Sequence, residues 1–155
     1  MDQLQKLEEI SEIQQLKARY FRFYDMQQWD QWLALFCEDG TLTADYEVCW
    51  SGKESPQLKL IGREAIRAYI EENGAKRRTI HHGHTPDIEL LSETDAKGIW
   101  AMEDIIEYPD QRTHGHGYYH ETYRKVGGEW RFATIHLTRL RLKISAISEA
   151  SLLSG

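Results

Sequence analysis

The stretch Tyr123-Arg-Lys-Val-Gly-Gly-Glu-Trp-Arg-Phe132 sets a β-like run on each side of a glycine pair. Such a pair is hairpin material, because glycine adopts the positive φ of a tight turn without a steric penalty. The same punctuation recurs upstream. β-like stretches near 78–92, 97–109, 113–125 and 128–142 are broken by Ser92-Glu-Thr-Asp95, Pro109-Asp110 and Gly127-Gly128. Ahead of these strands the period changes. Leu4, Leu7, Ile10, Ile13, Leu16, Tyr20 and Phe23 follow helical spacing, predicting a first helix that ends near Asp25. A second helix fits Trp29 to Phe36 and a third Arg63 to Glu72, with short strands at Thr41 to Tyr46 and Val48 to Ser51 between them. Helices segregated from a run of antiparallel strands make an α+β fold. Long twisted strands curling over three N-terminal helices would enclose one apolar pocket.

A chain of 155 residues, 41% hydrophobic and 28% charged, is the size and composition of one globular domain. The expected organisation is a single domain over 1–142 and a C-terminal tail over 143–155. The net charge of −6 argues against nucleic acid or an anionic membrane as partner. The N-terminus lacks a signal-peptide core, and no apolar run approaches bilayer length. Cys37 and Cys49 form neither a disulfide framework nor a metal spacing, which points to the cytoplasm.

The chemistry concentrates in Thr79-Ile-His-His-Gly-His-Thr-Pro-Asp-Ile-Glu-Leu-Leu91. Imidazole exchanges a proton near neutral pH, and His81, set on a strand, is held in place for it. Its acidic partner would be Asp25, Asp45 or Asp104. Alternation puts Trp100, Met102, Ile106 and Tyr108 on one face with Asp104 among them, where a carboxylate needs a partner or a task. His82 and His84 alternate, as do His114, His116 and His120, so either set could bring imidazoles onto one face at metal-ligand reach. With no convergence of ligands in the sequence, the favoured reading is surface or sheet-edge histidines and no metal. No nucleophile elbow presents a serine, and the glycines mark turns rather than a phosphate loop.

Glu12-Ile-Gln-Gln-Leu-Lys-Ala-Arg-Tyr-Phe-Arg-Phe-Tyr-Asp25, Trp29-Asp30, Leu35-Phe36, Gly62-Arg-Glu-Ala-Ile66 and the Tyr123–Phe132 hairpin together resemble SnoaL-like proteins of the nuclear transport factor 2-like superfamily. The resemblance spans roughly residues 8–142 and implies the cone-shaped α+β fold. Within that superfamily it is strongest to bile acid 7-alpha-dehydratase, through Gln15 to Arg22, His81 to Ile88, Trp100 to Asp104, and Arg139. Scytalone dehydratase and hexachlorocyclohexane dehydrochlorinase share the Asp-plus-His pair that falls here on Asp25 and His81. The second catalytic histidine of scytalone dehydratase has no counterpart in Ile99-Trp-Ala-Met102.

By this resemblance His81 is a general base oriented by Asp25, with Tyr20 and Tyr46 as further catalytic groups. Asp104, Arg139 and Tyr24 would bind substrate, while Trp100, Met102, Tyr108 and Tyr118 would supply an apolar wall. The implied activity is that of a lyase, a dehydratase removing water from a hydroxylated alicyclic, steroid-like or aromatic carbonyl compound, without cofactor or metal. The alternatives are a ketosteroid-type isomerase, for which Asp104 is the relevant residue, and a non-catalytic binding protein or subunit of the same fold. The partner is then a small hydrophobic substrate. The resemblance also implies a homo-oligomer, trimer or dimer, using Tyr119, Tyr123, Ile135 and Leu137 on the outer sheet face.

Overall fold

The structure, a computed structural model, describes residues 1–48 and 57–147. Helix α1 (Gln3–Asp25) starts at a capping box. Asp2 accepts from the Gln5 amide at 2.8 Å, and the Gln5 side chain accepts from the Asp2 amide at 2.7 Å. Helix α2 (Trp29–Leu33) follows, then β1 (Phe36–Asp45), β2 (Gln57–Ile61) and α3 (Arg63–Asn73). The long strands β3 (Arg78–Leu90), β4 (Asp95–Glu107), β5 (Gln111–Val126) and β6 (Glu129–Ala146) complete the chain. The six strands form one sheet in the order β2-β1-β6-β5-β4-β3, antiparallel except for the β1–β6 pair. Register shifts between His84 and Asp87, His116 and Gly117, and Thr122 and Tyr123 bend the long strands, so the unclosed sheet curves around α1. The fold is the expected α+β cone. Gly127 and Gly128, with φ of 61° and 85°, make the β5–β6 turn.

Four boundaries differ from the sequence reading. Helix α2 stops at Leu33 rather than Phe36, because Phe36 is drawn into the sheet opposite Phe132, whose amide donates to Leu35 O at 2.9 Å. Strand β1 accordingly begins five residues earlier than Thr41. The strand expected at Val48 to Ser51 lies, beyond Val48, outside the described residues; the partner of β1 is instead Gln57–Ile61. Lys143 to Ala146 of the expected tail continue β6 against Gln111–His114 of β5. Cys37 is a buried free thiol, and Cys49 is outside the described residues. No helix among the described residues is long and apolar enough to cross a membrane.

The core forms where α1 lies in the sheet, from Ile13, Leu16, Tyr20 and Tyr24 against Tyr119, Tyr123, Phe132, Ile135 and Leu137. The last four of these sheet positions therefore include three that were expected at an outer interface, as was Tyr119. All four interface candidates (Tyr119, Tyr123, Ile135, Leu137) instead face inward and are buried. Leu4 and Leu7 are exposed, since the first turns of α1 project past the sheet.

The same helix face carries a charge. Lys17, fully buried, donates to Glu121 Oε1 on β5, whose side chain is also fully buried. Its ammonium lies 3.4 Å from the Tyr119 ring centroid and 4.3 Å from that of Tyr20, so aromatic faces share the work of solvating it. Burial nonetheless pulls the Lys17 pKa down to about 8. Glu121 Oε2 accepts from Tyr123 Oη at 2.5 Å, and Tyr123 Oη accepts from Trp100 Nε1 at 2.9 Å. Lys17→Met would strand the Glu121 carboxylate in this core. That substitution is expected to lower unfolding stability by about 3–5 kcal/mol in urea titrations, with much of the loss recovered when Glu121→Leu is added.

Candidate active site

Between α1, α3 and the inner sheet face lies a cavity of about 200 Å³. Tyr20, Tyr24, Tyr69, Tyr108 and Tyr119 line it together with Leu42, Ile66, Ile70, Ile106 and Leu137. The polar groups on this wall include Arg77, Thr79, His81, Asp104 and Arg139. An apolar chamber with a few fixed polar groups is the usual form of a small-molecule site.

The sequence fixes His81 and Asp25 from two directions. Asp25 is the last residue of α1, where the helix dipole disfavours a negative charge, so the carboxylate requires donors. Strand β3 supplies three of them. Thr79 Oγ1 donates to Oδ1 at 2.8 Å, the His81 amide donates to Oδ2 at 2.9 Å, and His81 Nδ1 lies 2.7 Å from Oδ1. An ionised carboxylate can only accept, so Nδ1 carries the ring proton and Nε2 is left with its lone pair. No described group bonds Nε2. Phe21 stacks on the imidazole at 6.3 Å, and Tyr24 meets it edge-on at 5.0 Å, which locks the ring orientation.

Tyr20 is buried over the cavity, and burial pushes its phenol well above the usual range. Tyr24 is raised too, chiefly by burial, with Arg77 pulling in the other direction. Tyr46, just past the end of β1, lines the cavity at its exposed rim, while Asp45 turns to accept from Gln57 Nε2 at 2.9 Å.

Asp104 and Arg139 lie on the cavity wall but are occupied with each other. Arg139 Nη1 donates to both carboxylate oxygens at 2.8 Å. Arg139, expected to bind substrate, is instead paired with Asp104. Equally, the Asp104 arrangement is that of an ion pair and not of a neutral acid offering a proton. The pair fits because Gly115 faces it: a Cβ there would sit 2.2 Å from Arg139 Nη1 and 2.4 Å from Asp104 Oδ1.

Three wall assignments are also corrected. Trp100 and Met102 face inward but are buried in the core away from the cavity, Trp100 being tied to Tyr123. Tyr118 points to the opposite, outer face and is 39% exposed, while its neighbour Tyr119 lines the cavity. His114 and His116 do lie on the outer face of β5, partly exposed, and there they meet Glu103.

Arg77 and Tyr69 were missed. Arg77 Nη2 donates to Tyr24 Oη at 2.7 Å and Nη1 to Tyr69 Oη at 3.1 Å. Burial works against the guanidinium charge, but the two phenol oxygens more than offset it and its pKa is raised. No carboxylate among the described residues pairs with it, and its buried Nε has no hydrogen-bond partner. The signal was present in the sequence: Arg77, Thr79 and His81 alternate, so the face that carries His81 also carries Arg77.

Comparison with known proteins gives the same fold. A provisionally named scytalone dehydratase from Novosphingobium aromaticivorans superimposes with a TM-score of 0.78 at 25% identity, covering 92% of this chain and 91% of that one. A hexachlorocyclohexane dehydrochlorinase from Novosphingobium barchaimii shares the fold with a TM-score of 0.75 at 16% identity, covering 96% of each chain. A provisionally named cyclase from Gibberella zeae is 26% identical over 87 residues, which are 52% of this chain. The match spans only 56% of that curated relative. The SnoaL-like domain matches residues 5–136, most of the chain, and the protein belongs to the SnoaL-like domain family.

Proposed function

We propose that this protein is a cofactor-free lyase, a dehydratase that removes water from a hydroxylated cyclic carbonyl compound with His81 as the base. The observation that carries the reading is the 2.7 Å contact between His81 Nδ1 and Asp25, which leaves Nε2 unbonded on the wall of an apolar cavity. The similarity to a provisionally named scytalone dehydratase supports it. In the proposed reaction Nε2 removes the proton from the carbon beside the substrate carbonyl. Asp25 stabilises the imidazolium that results. Electron density moves onto the carbonyl oxygen and then back, expelling the hydroxyl one carbon further on. That hydroxyl takes the proton from His81 Nε2 and leaves as water, so one side chain serves as acid and base in turn.

The enolate oxygen needs a donor. Tyr24 is well suited, because its oxygen already accepts from Arg77 and its own proton is free to point at substrate. The guanidinium behind it strengthens that donation. Tyr20 offers a second phenol. A cavity of about 200 Å³ favours a one- or two-ring substrate over a four-ring steroid, since an apolar cavity of about 150 Å³ admits a single benzene ring. The ion-paired Asp104 weighs against the isomerase alternative that would need it as a neutral acid.

The test is incubation of the protein with hydroxylated one- and two-ring ketones, following water loss by mass spectrometry. His81→Ala and Asp25→Asn are expected to lower turnover by roughly 10²–10⁴-fold. Double-bond migration without loss of water would replace the lyase reading with an isomerase. Arg77→Met is expected to act mainly on kcat, by roughly tenfold or more, if it sharpens a donor to the developing enolate; an effect confined to KM would make it a ground-state contact. Gly115→Ala is expected to split the Asp104–Arg139 pair and lower the urea midpoint, an effect that Asp104→Asn combined with Gly115→Ala should not deepen.

A further inference from the structure

On the face of the sheet opposite the cavity, four side chains from three neighbouring strands converge. Glu103 on β4 is paired in register with His82 on β3 and with His116 on β5. His114, two residues before His116, shares that face. His114 Nε2 lies 2.6 Å from Glu103 Oε1, and His116 Nε2 lies 3.8 Å from the same oxygen. The two imidazole rings are 4.9 Å apart, and one ligand atom from each of Glu103, His114 and His116 falls within 4.8 Å of the others. His82 stands on the far side, with Nδ1 4.0 Å from Oε2.

We propose that Glu103, His114 and His116 form a binding site for a divalent transition ion that prefers imidazole, such as Zn²⁺ or Co²⁺. The chemistry of the donors supports this. The ion contacts made by Glu103 among the described residues are all to histidines; no lysine or arginine neutralises it. Two imidazole nitrogens and one carboxylate oxygen suit a borderline-soft ion, with a fourth position left for water. Metal–ligand bonds of about 2.0–2.1 Å put the donors of a tetrahedral site about 3.3 Å apart. The separations of 2.6 and 3.8 Å lie on either side of that, within reach of small side-chain rotations. The donors also sit on adjacent strands of a continuous ladder, which keeps the backbone from drifting. His116 Nδ1 is buried without a partner, so Nε2 is the nitrogen available for binding.

The site is separate from the proposed base. Glu103 and Asp104 are neighbours on β4, and alternation sends one outward and the other to the cavity wall. Binding can therefore be read without any substrate. Calorimetric titration of the purified full chain with Zn²⁺, and the visible absorption of Co²⁺, are expected to give one ion per chain. The double substitution of His114→Ala with His116→Ala should weaken that affinity by more than about 100-fold. Glu103→Gln, which keeps the shape of the side chain, provides the same reading should the double substitution fail to fold. Zn²⁺ is also expected to raise the melting temperature of the unsubstituted protein and not that of the Glu103→Gln protein. Absence of binding at millimolar metal, or unchanged affinity in both altered proteins, would overturn the proposal.

Discussion

The contact on which this architecture turns is the buried link between Lys17 and Glu121. Neither group reaches water, and an ion pair in that position is stable only when its remaining valences are met. Here the aromatic rings around Lys17 and the hydroxyl of Tyr123 meet them. The consequence is positional. A helix in a greasy trough can slide or rotate at little cost, whereas one whose ammonium must find a single carboxylate cannot. Eight residues further along, at about 1.5 Å per residue, Asp25 arrives at β3 opposite the amide and ring of His81. Near the other end, Glu9 accepts from Lys125 Nζ at 2.6 Å and from Trp130 Nε1 at 2.5 Å. The helix is pinned to the sheet at its start, middle and end, and the cavity is the space this leaves between the sheet and α3.

With the helix fixed, the charges of the cavity sort themselves. Asp104 and Arg139 cancel, and Asp25 is held by three donors of β3. Arg77 alone on that wall is met by phenols instead of a carboxylate. Phenols are weak partners for a cation, so the guanidinium keeps much of its field for whatever enters the cavity. A negative charge that appears only as a reaction proceeds gains most from such a field, because the dipoles around it are already oriented. Tyr24 and Tyr69 thus belong to the apolar wall and also couple the cavity to the guanidinium behind them.

Most of this fold could be read from periodicity, because the β4 alternation of Trp100, Met102, Asp104 and Ile106 matches the inner face observed. Strand β5 could not. Its inner face reads Gly115, Gly117, Tyr119, Glu121 and Tyr123, with two glycines and a carboxylate where an apolar signal is expected. The glycines are small because Arg139 and Asp104 need the room beside one of them, and the carboxylate is there because Lys17 needs a partner. Both reasons lie on other strands, so the local pattern inverted by one residue and placed Tyr118 inside and Tyr119 outside. The β6 pattern is broken as well. Trp130 and Phe132 face inward on even numbers, Ile135 and Leu137 on odd ones, and the register shift beside them at Thr122 and Tyr123 absorbs the change. Asp25 and His81 were legible through resemblance; their separation of 56 positions along the chain gives no cue to contact by itself. Arg77 was legible by alternation, yet a basic residue just ahead of a strand ordinarily reads as solvated.

The carboxylate of Asp25 also constrains how a proton can move. Two of its three donors, the Thr79 hydroxyl and the His81 amide, do not depend on the charge of the imidazole. They persist whether His81 is neutral or protonated, and each, being a donor, takes up a lone pair of the carboxylate. When Nε2 gains a proton, the carboxylate therefore stays an acceptor, and the Nδ1 proton has no reason to cross to it. The tautomer that leaves the Nε2 lone pair toward the cavity is thereby fixed, and in the proposed reaction the proton gained at Nε2 faces the cavity. In the proposed lyase reaction such a base would return its proton to the departing group. That constraint comes from the Thr79 hydroxyl and the His81 backbone amide at the start of β3.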